Sequence, residues 1–245
     1  MTFSRIAYET LQVCNGVEMA AIETALARAN PSPSTRAVDV GTGNAAVALH
    51  LAERFAVSVT AIEFDAVMAD LARNRIAASP VGDRVTLIEG PAHLAFVELQ
   101  PIDLMVALGT TNLTGDGRPT PRAGFEFLHR HLQPGGWLLW GDIVWLTQPV
   151  EPLRQLVEAT NIYADDAGWQ AAATEAGFDV VWREISDQSV FDAYERDTLA
   201  AAAGWLDANP DAPEAPIIRF NAERMKALFQ FGRGVIGFGL YLLRR

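Results

Sequence analysis

The stretch Ala37-Val38-Asp39-Val40-Gly41-Thr42-Gly43-Asn44-Ala45-Ala46-Val47 constrains this chain more than any other, because an apolar strand breaks there into a two-glycine turn and opens directly into a helix. Gly41 and Gly43 remove side chains that would hold a ligand away from the backbone. The amides that follow sit at a helix N-terminus with its partial positive charge. Strand, glycine turn and helix in that order open a βαβ unit, and the turn reads as a nucleotide-cofactor site.

Hydrophobic periodicity carries the alternation onward. A helical segment over residues 17–29 ends at Asn30-Pro31-Ser32-Pro33-Ser34, which delivers the chain to the first strand. Helices are expected over 45–54, 66–78 and 121–132, and strands over 57–63, 85–89, 102–108 and 136–145, the last after the turn Gln133-Pro134-Gly135-Gly136. Beyond Val150 the rhythm changes: helices over 152–161 and 169–176, a strand over 178–185, helices over 187–206 and 217–230 separated by a Pro-rich loop at 208–216, and a last strand over 234–243. Strands alternating with helices imply right-handed crossovers and a doubly wound, mostly parallel α/β sheet. The expected organisation is one domain over 1–245, with an N-terminal helical segment 1–34 and a helical cap inserted at about 187–232.

Composition narrows the partners. With 30 acidic against 19 basic residues the chain carries a net charge of −11, which disfavours a nucleic-acid backbone and favours a small molecule. Cys14 is the only cysteine, so no intrachain disulfide forms, and its plain reading is a small buried apolar side chain. Residues 1–5 meet Glu9 before any secretory apolar segment forms, and no apolar run approaches the roughly 20 residues of a membrane span. A soluble, cytoplasmic protein with no membrane partner is expected, and a homo-oligomer is left open. His50, His93, His129 and His131 lack ligand spacing, so no metal is expected.

A second acidic residue sharpens the cofactor. Glu63 ends the next strand at about the spacing at which a carboxylate reaches ribose hydroxyls. A third glycine is missing from the first turn, while Asp39 stands two positions before its first glycine. In this the sequence resembles the class I S-adenosylmethionine-dependent methyltransferases of the bacterial small-molecule type, whose first motif is acidic-x-Gly-x-Gly-x-Gly, with Ala45 where the third glycine often stands. Leu132-Gln133-Pro134-Gly135-Gly136 is similar to the family's turn before its fifth strand, and residues 234–243 to its antiparallel last strand. The resemblance implies a seven-stranded Rossmann-like sheet and S-adenosylmethionine, leaving as S-adenosylhomocysteine. It also implies cofactor contacts from Asp39, Gly41, Gly43, Asn44, Glu63, Phe64, Ala92 and Gly109. Pro91 stands where many relatives have an aspartate for the adenine amino group, so the adenine edge falls to backbone groups near Ala92 or another side chain.

Methyl transfer from a sulfonium depends mainly on positioning and desolvation, with a base needed only for some acceptors. Asp142 and Tyr194 are the catalytic candidates, and Thr111, Asn112 and Trp145 the substrate-binding ones. Arg196, Arg219, Arg224 and Arg233 offer cations to an anionic acceptor, with solvation or ion pairing as the plainer expectation. The expected activity is methyl transfer to a small-molecule N, O or S nucleophile. Alternatives are a cofactor-binding regulatory or non-methylating protein of the same fold and, more distantly, a nicotinamide-dependent oxidoreductase.

Overall fold

The computed structural model describes residues 1–99, 101–110, 112–117, 119–158 and 163–245. The chain runs α1 (Phe3–Thr10), α2 (Met19–Ala29), β1 (Arg36–Val40), α3 (Ala46–Phe55), β2 (Ser58–Glu63), α4 (Ala66–Ala78), β3 (Val85–Glu89), α5 (Ala92–Ala95) and β4 (Ile102–Leu108). It continues through α6 (Pro121–His131), β5 (Leu132–Trp145), α7 (Glu151–Glu158), β6 (Ala164–Asp165), α8 (Asp166–Glu175), β7 (Asp179–Ile185), α9 (Gln188–Ala208), α10 (Ala215–Gly232) and β8 (Ile236–Arg244). Side-chain caps set several helix starts: Asp65 accepts from the Val67 and Met68 amides, Thr120 from Ala123 ahead of Pro121, and Asp165 from Gly168.

The sheet has the order β3-β2-β1-β4-β5-β8-β7, parallel except for β8, which runs antiparallel to both neighbours. From β1 the chain winds outward to β3, then returns across β1 to β4, so strand order reverses at the carboxyl ends of β1 and β4. Ligands of open α/β sheets bind at such a point. Alternate side chains feed two cores. Leu104, Val106 and Leu139 join Ile22 and Leu26 of α2 and Leu51 of α3 on one face; Met105, Ala107 and Trp140 join Phe125 of α6 and Trp169 of α8 on the other.

Four features depart from the sequence expectation. An additional helix, α1, precedes the expected N-terminal one, started by the Thr2 hydroxyl accepting from the Arg5 amide. An eighth strand, β6, pairs with the end of β5 at Val144 and Trp145 in a lane that β4 has already left. The expected turn at 133–136 is absorbed into β5: Ile102 pairs with Leu132 before a register shift, and the Gly135 amide donates to the Arg245 carbonyl at 2.8 Å. Finally, α10 begins inside the expected loop, because proline is tolerated in a first helical turn and Pro216 sits there. The end of the helix expected at 152–161 lies outside the described residues.

Phe238 of β8 is 1% exposed, and its ring lies against Gly141 of β5, where an added methyl would stand 2.8 Å from the ring. Phe238→Ala should lower the unfolding free energy by about 3–5 kcal/mol in urea titrations. A loss under about 1 kcal/mol would mean that the β5–β8 seam is not closely packed there.

Candidate functional site

A cavity of about 300 Å³ opens at the β1–β4 switch point. Its floor is the glycine turn. Gly41 has φ +71° and approaches Thr110 so closely that a Cβ would stand 2.7 Å from the Thr110 Oγ1, which itself donates to the Val40 carbonyl at 2.5 Å. The Gly41 and Thr42 amides both donate to the Ile62 carbonyl, tying the turn to the end of β2.

Two buried carboxylates organise that floor. Glu63 accepts from the Gly43 amide at 2.8 Å through Oε2 and from the Asp65 amide at 2.9 Å through Oε1. Each carboxylate oxygen has two acceptor sites, so these bonds leave capacity for ligand hydroxyls. Asp39 accepts from the Thr42 hydroxyl at 2.6 Å. Burial, and secondarily the charge of Glu63, pushes Asp39 up to about 7 against the pull of the Thr42 bond. Glu63 is also raised by burial, opposed by the amides of Asp65 and Gly43.

The opposite wall comes from a strap formed by residues 1–17. Ser4, Tyr8, Val13, Cys14 and Asn15 all line the cavity, and none was singled out from sequence as a site residue. The available signal was Thr2 as a helix cap followed by apolar Phe3, Ile6 and Ala7 on helical spacing. Asn44 fastens the strap: its Nδ2 donates to the carbonyls of Tyr8 (3.0 Å) and Leu11 (2.8 Å), while its Oδ1 accepts from the Ala46 amide. Arg75 adds bonds to the Glu9 and Leu11 carbonyls. The Asn44 side chain therefore has a structural task beside its place in the cavity wall.

The remaining sequence candidates divide. Asp39, Gly41, Gly43, Asn44, Glu63, Phe64, Ala92, Gly109 and Asn112 line the cavity together. Phe64 is 67% exposed at its rim. Thr111 lies outside the described residues. Tyr194 stands behind Tyr8, their hydroxyls 3.3 Å apart, with its ring against Phe191 and Phe229. Burial raises both phenols, so each is a neutral hydroxyl at ordinary pH and neither is a base. Asp142 and Trp145 do not line the cavity. Strand alternation turns Asp142 toward the α6–α8 face, where it accepts from the Ile143 amide, and Trp145 packs in the opposite core beside Tyr163. Arg196 and Arg233 are paired with Asp197 and Asp192. None of the four candidate arginines reaches the cavity.

This sheet order with its antiparallel β8, and an acidic-x-Gly-x-Gly turn at the switch point, define a nucleoside-cofactor-binding α/β protein. Comparison with known proteins makes the class specific. The methyltransferase-domain family profile matches residues 37–136. YjhP of Escherichia coli (strain K12) is 28% identical over 219 residues, covering 86% of this chain and 85% of that protein. A methyltransferase from Geobacter sulfurreducens, solved in complex with S-adenosyl-L-homocysteine, matches with TM-score 0.85 and 26% identity over 99% of this chain and 98% of its own. The C-methyltransferase UbiE of Geotalea daltonii is 31% identical over 108 residues, 43% of this chain and 44% of that protein. These matches support the class I S-adenosylmethionine-dependent methyltransferase family: the methyltransferase-domain profile covers the βαβ core that carries the glycine turn and Glu63, and a structure holding S-adenosyl-L-homocysteine shares the fold over nearly the whole chain.

Two predictions follow from the geometry. With its folded value near 7, Asp39 holds a proton in the native state that the unfolded chain releases at about pH 4, so its contribution to stability falls as pH rises through that window. Asp39→Asn carries no such charge, and its stability relative to the parent should be greater at pH 8 than at pH 5 by on the order of 1 kcal/mol or more. Urea unfolding of the unliganded proteins at both pH values reads this, and identical pH profiles would contradict the burial effect. Asn44→Ala should free the strap, speeding hydrogen exchange in residues 3–11 by roughly tenfold while the β4 and β5 amides stay unchanged. Unaltered exchange in the strap would show that Arg75 and apolar contacts suffice to hold it.

Proposed function

We propose that this protein transfers the methyl group of S-adenosylmethionine to a small-molecule N, O or S nucleophile held between the glycine turn and the N-terminal strap. The observation that carries the reading is the acidity of the cavity wall: Glu63 and Asp65 line it beside Asp39, which burial pushes up to about 7, and no arginine, lysine or histidine does among the described residues. Such a wall complements a cationic ligand. When bound, the cofactor supplies an electrophilic methyl on a sulfonium. The acceptor sites left on Glu63 suit ribose hydroxyls, and exposed Phe64 offers a face to the adenine ring. Backbone groups at Ala92 and Gly109 complete the cradle, Ala92 being the first residue of α5 after Pro91, which has no N–H.

On the acceptor side the chain offers neutral polar groups: the Tyr8 hydroxyl, backed by Tyr194, the Asn15 and Asn112 amides and the Thr110 hydroxyl. These orient a nucleophile by hydrogen bonding without taking its proton. Catalysis by alignment and exclusion of water is what such a wall supports.

Titration calorimetry with S-adenosylmethionine, S-adenosylhomocysteine, NAD and NADP tests the cofactor, and a panel of N, O and S acceptors with tritiated methyl donor tests transfer. The sulfonium pair should bind and the nicotinamides should not. Glu63→Ala should weaken binding at least about tenfold. Tight cofactor binding with no labelled product across the panel would favour the regulatory alternative.

A further inference from the structure

Helix α10 covers none of the cavity wall, yet it exposes an apolar stripe. Its inner face, with Ile218 and Phe229, is buried, and the helix packs beside α9 and α7. On the outer face, Ile217, Phe220 and Phe231 are 53%, 63% and 66% exposed. Phe220, Arg224, Ala227 and Phe231 follow one another at helical steps of four, three and four, so they form one stripe along an 18-residue helix about 27 Å long.

Charge distinguishes this face from the rest of an acidic protein. Among the described residues, Arg130, Arg219, Arg224 and Lys226 are the cations whose side chains make no ion pair, hydrogen bond or ring contact; three of these four lie on α10. All three are exposed, against the single exposed acid Glu223 on the same helix. A second copy is a poor occupant, because a twofold contact through the stripe would set Arg224 and its flanking cations against their own counterparts. An anionic layer satisfies both halves of the pattern. Apolar side chains enter its interface while arginine and lysine stems lie along it and carry their charges to the phosphates.

We propose that the outer face of α10 docks on an anionic lipid surface, with Ile217, Phe220 and Phe231 entering the headgroup layer and Arg219, Arg224 and Lys226 meeting its phosphates. No described helix is long and apolar enough to cross a membrane. Docking of this kind needs no span, and the sequence reading of membrane partners weighed spans alone.

Co-sedimentation of the full chain with sucrose-loaded vesicles tests this, using phosphatidylcholine alone and phosphatidylcholine with about one-third phosphatidylglycerol. The expected result is partition onto the anionic vesicles, roughly tenfold weaker onto neutral ones and weakened by salt. The double variant Phe220→Ser/Phe231→Ser and the triple variant Arg219→Gln/Arg224→Gln/Lys226→Gln should each lose about tenfold in partition. Circular dichroism and S-adenosylhomocysteine affinity, read separately on the same samples, should not change, so failure of docking is distinguishable from failure of the cofactor reading. Equal partition onto both vesicle types, no sedimentation, or variants indistinguishable from the parent would overturn the proposal. Concentration-dependent self-association abolished by the Phe220 and Phe231 changes, without vesicle binding, would overturn it in favour of a second copy.

Discussion

The buried carboxylate of Glu63 is the fastening on which the site depends. One oxygen holds the amide of Gly43 in the turn after β1, the other that of Asp65 at the start of α4, so one side chain bridges two loops from adjacent parallel strands beside the backbone bonds from Gly41 and Thr42 to Ile62. Burying that charge is costly, and the costs are offset only because both oxygens meet amide donors. Asp39, one strand over, is more deeply buried and takes the Thr42 hydroxyl as its partner, and burial raises its proton affinity against that bond. Two acids within one cavity are thus both raised by burial and both held down in part by the groups that donate to them.

From this fastening the geometry extends outward through Asn44. The turn that Glu63 steadies carries Asn44 immediately after Gly43, and Asn44 grips the backbone of the strap at Tyr8 and Leu11. The floor of the cavity and its far wall are therefore connected by two hydrogen bonds of one amide. Tyr8 in turn meets Tyr194, which joins α9 to the same chain of contacts. A displacement of the turn is transmitted to the strap side of the cavity.

How much of this was legible in the sequence depends on the range of the interaction. The helix over 66–78 coincides with α4 because Asp65, a local cap, fixes its start. Strands 85–89 and 102–108 match β3 and β4 because runs of apolar and β-branched residues set them locally. That the turn and Glu63 meet in one cavity was legible for the same reason: they are short motifs whose spacing is a property of the βαβ unit. The strap was not, since it reaches the cavity through partners 33 to 36 residues away in Asn44 and 64 to 66 away in Arg75. Asp142 illustrates the opposite failure. A polar residue near a strand's carboxyl end looks like a site residue, but a period of two decides which face it takes, and β5 turns it away from the cavity.

The wall that remains has consequences for the chemistry it can support. A general base must ionise near the working pH and reach the acceptor, yet the phenols at the cavity are held neutral by burial and Asp39 is turned to Thr42 beside the floor. A nucleophile that is already nucleophilic when neutral, or that ionises unaided, matches this wall; an alcohol needing full deprotonation does not. Neutral donors on the strap and carboxylates beside the glycine turn also divide the cavity electrostatically. In the proposed reading that division leaves Glu63 to the ribose hydroxyls, while the strap offers the acceptor hydrogen bonds at the opposite wall.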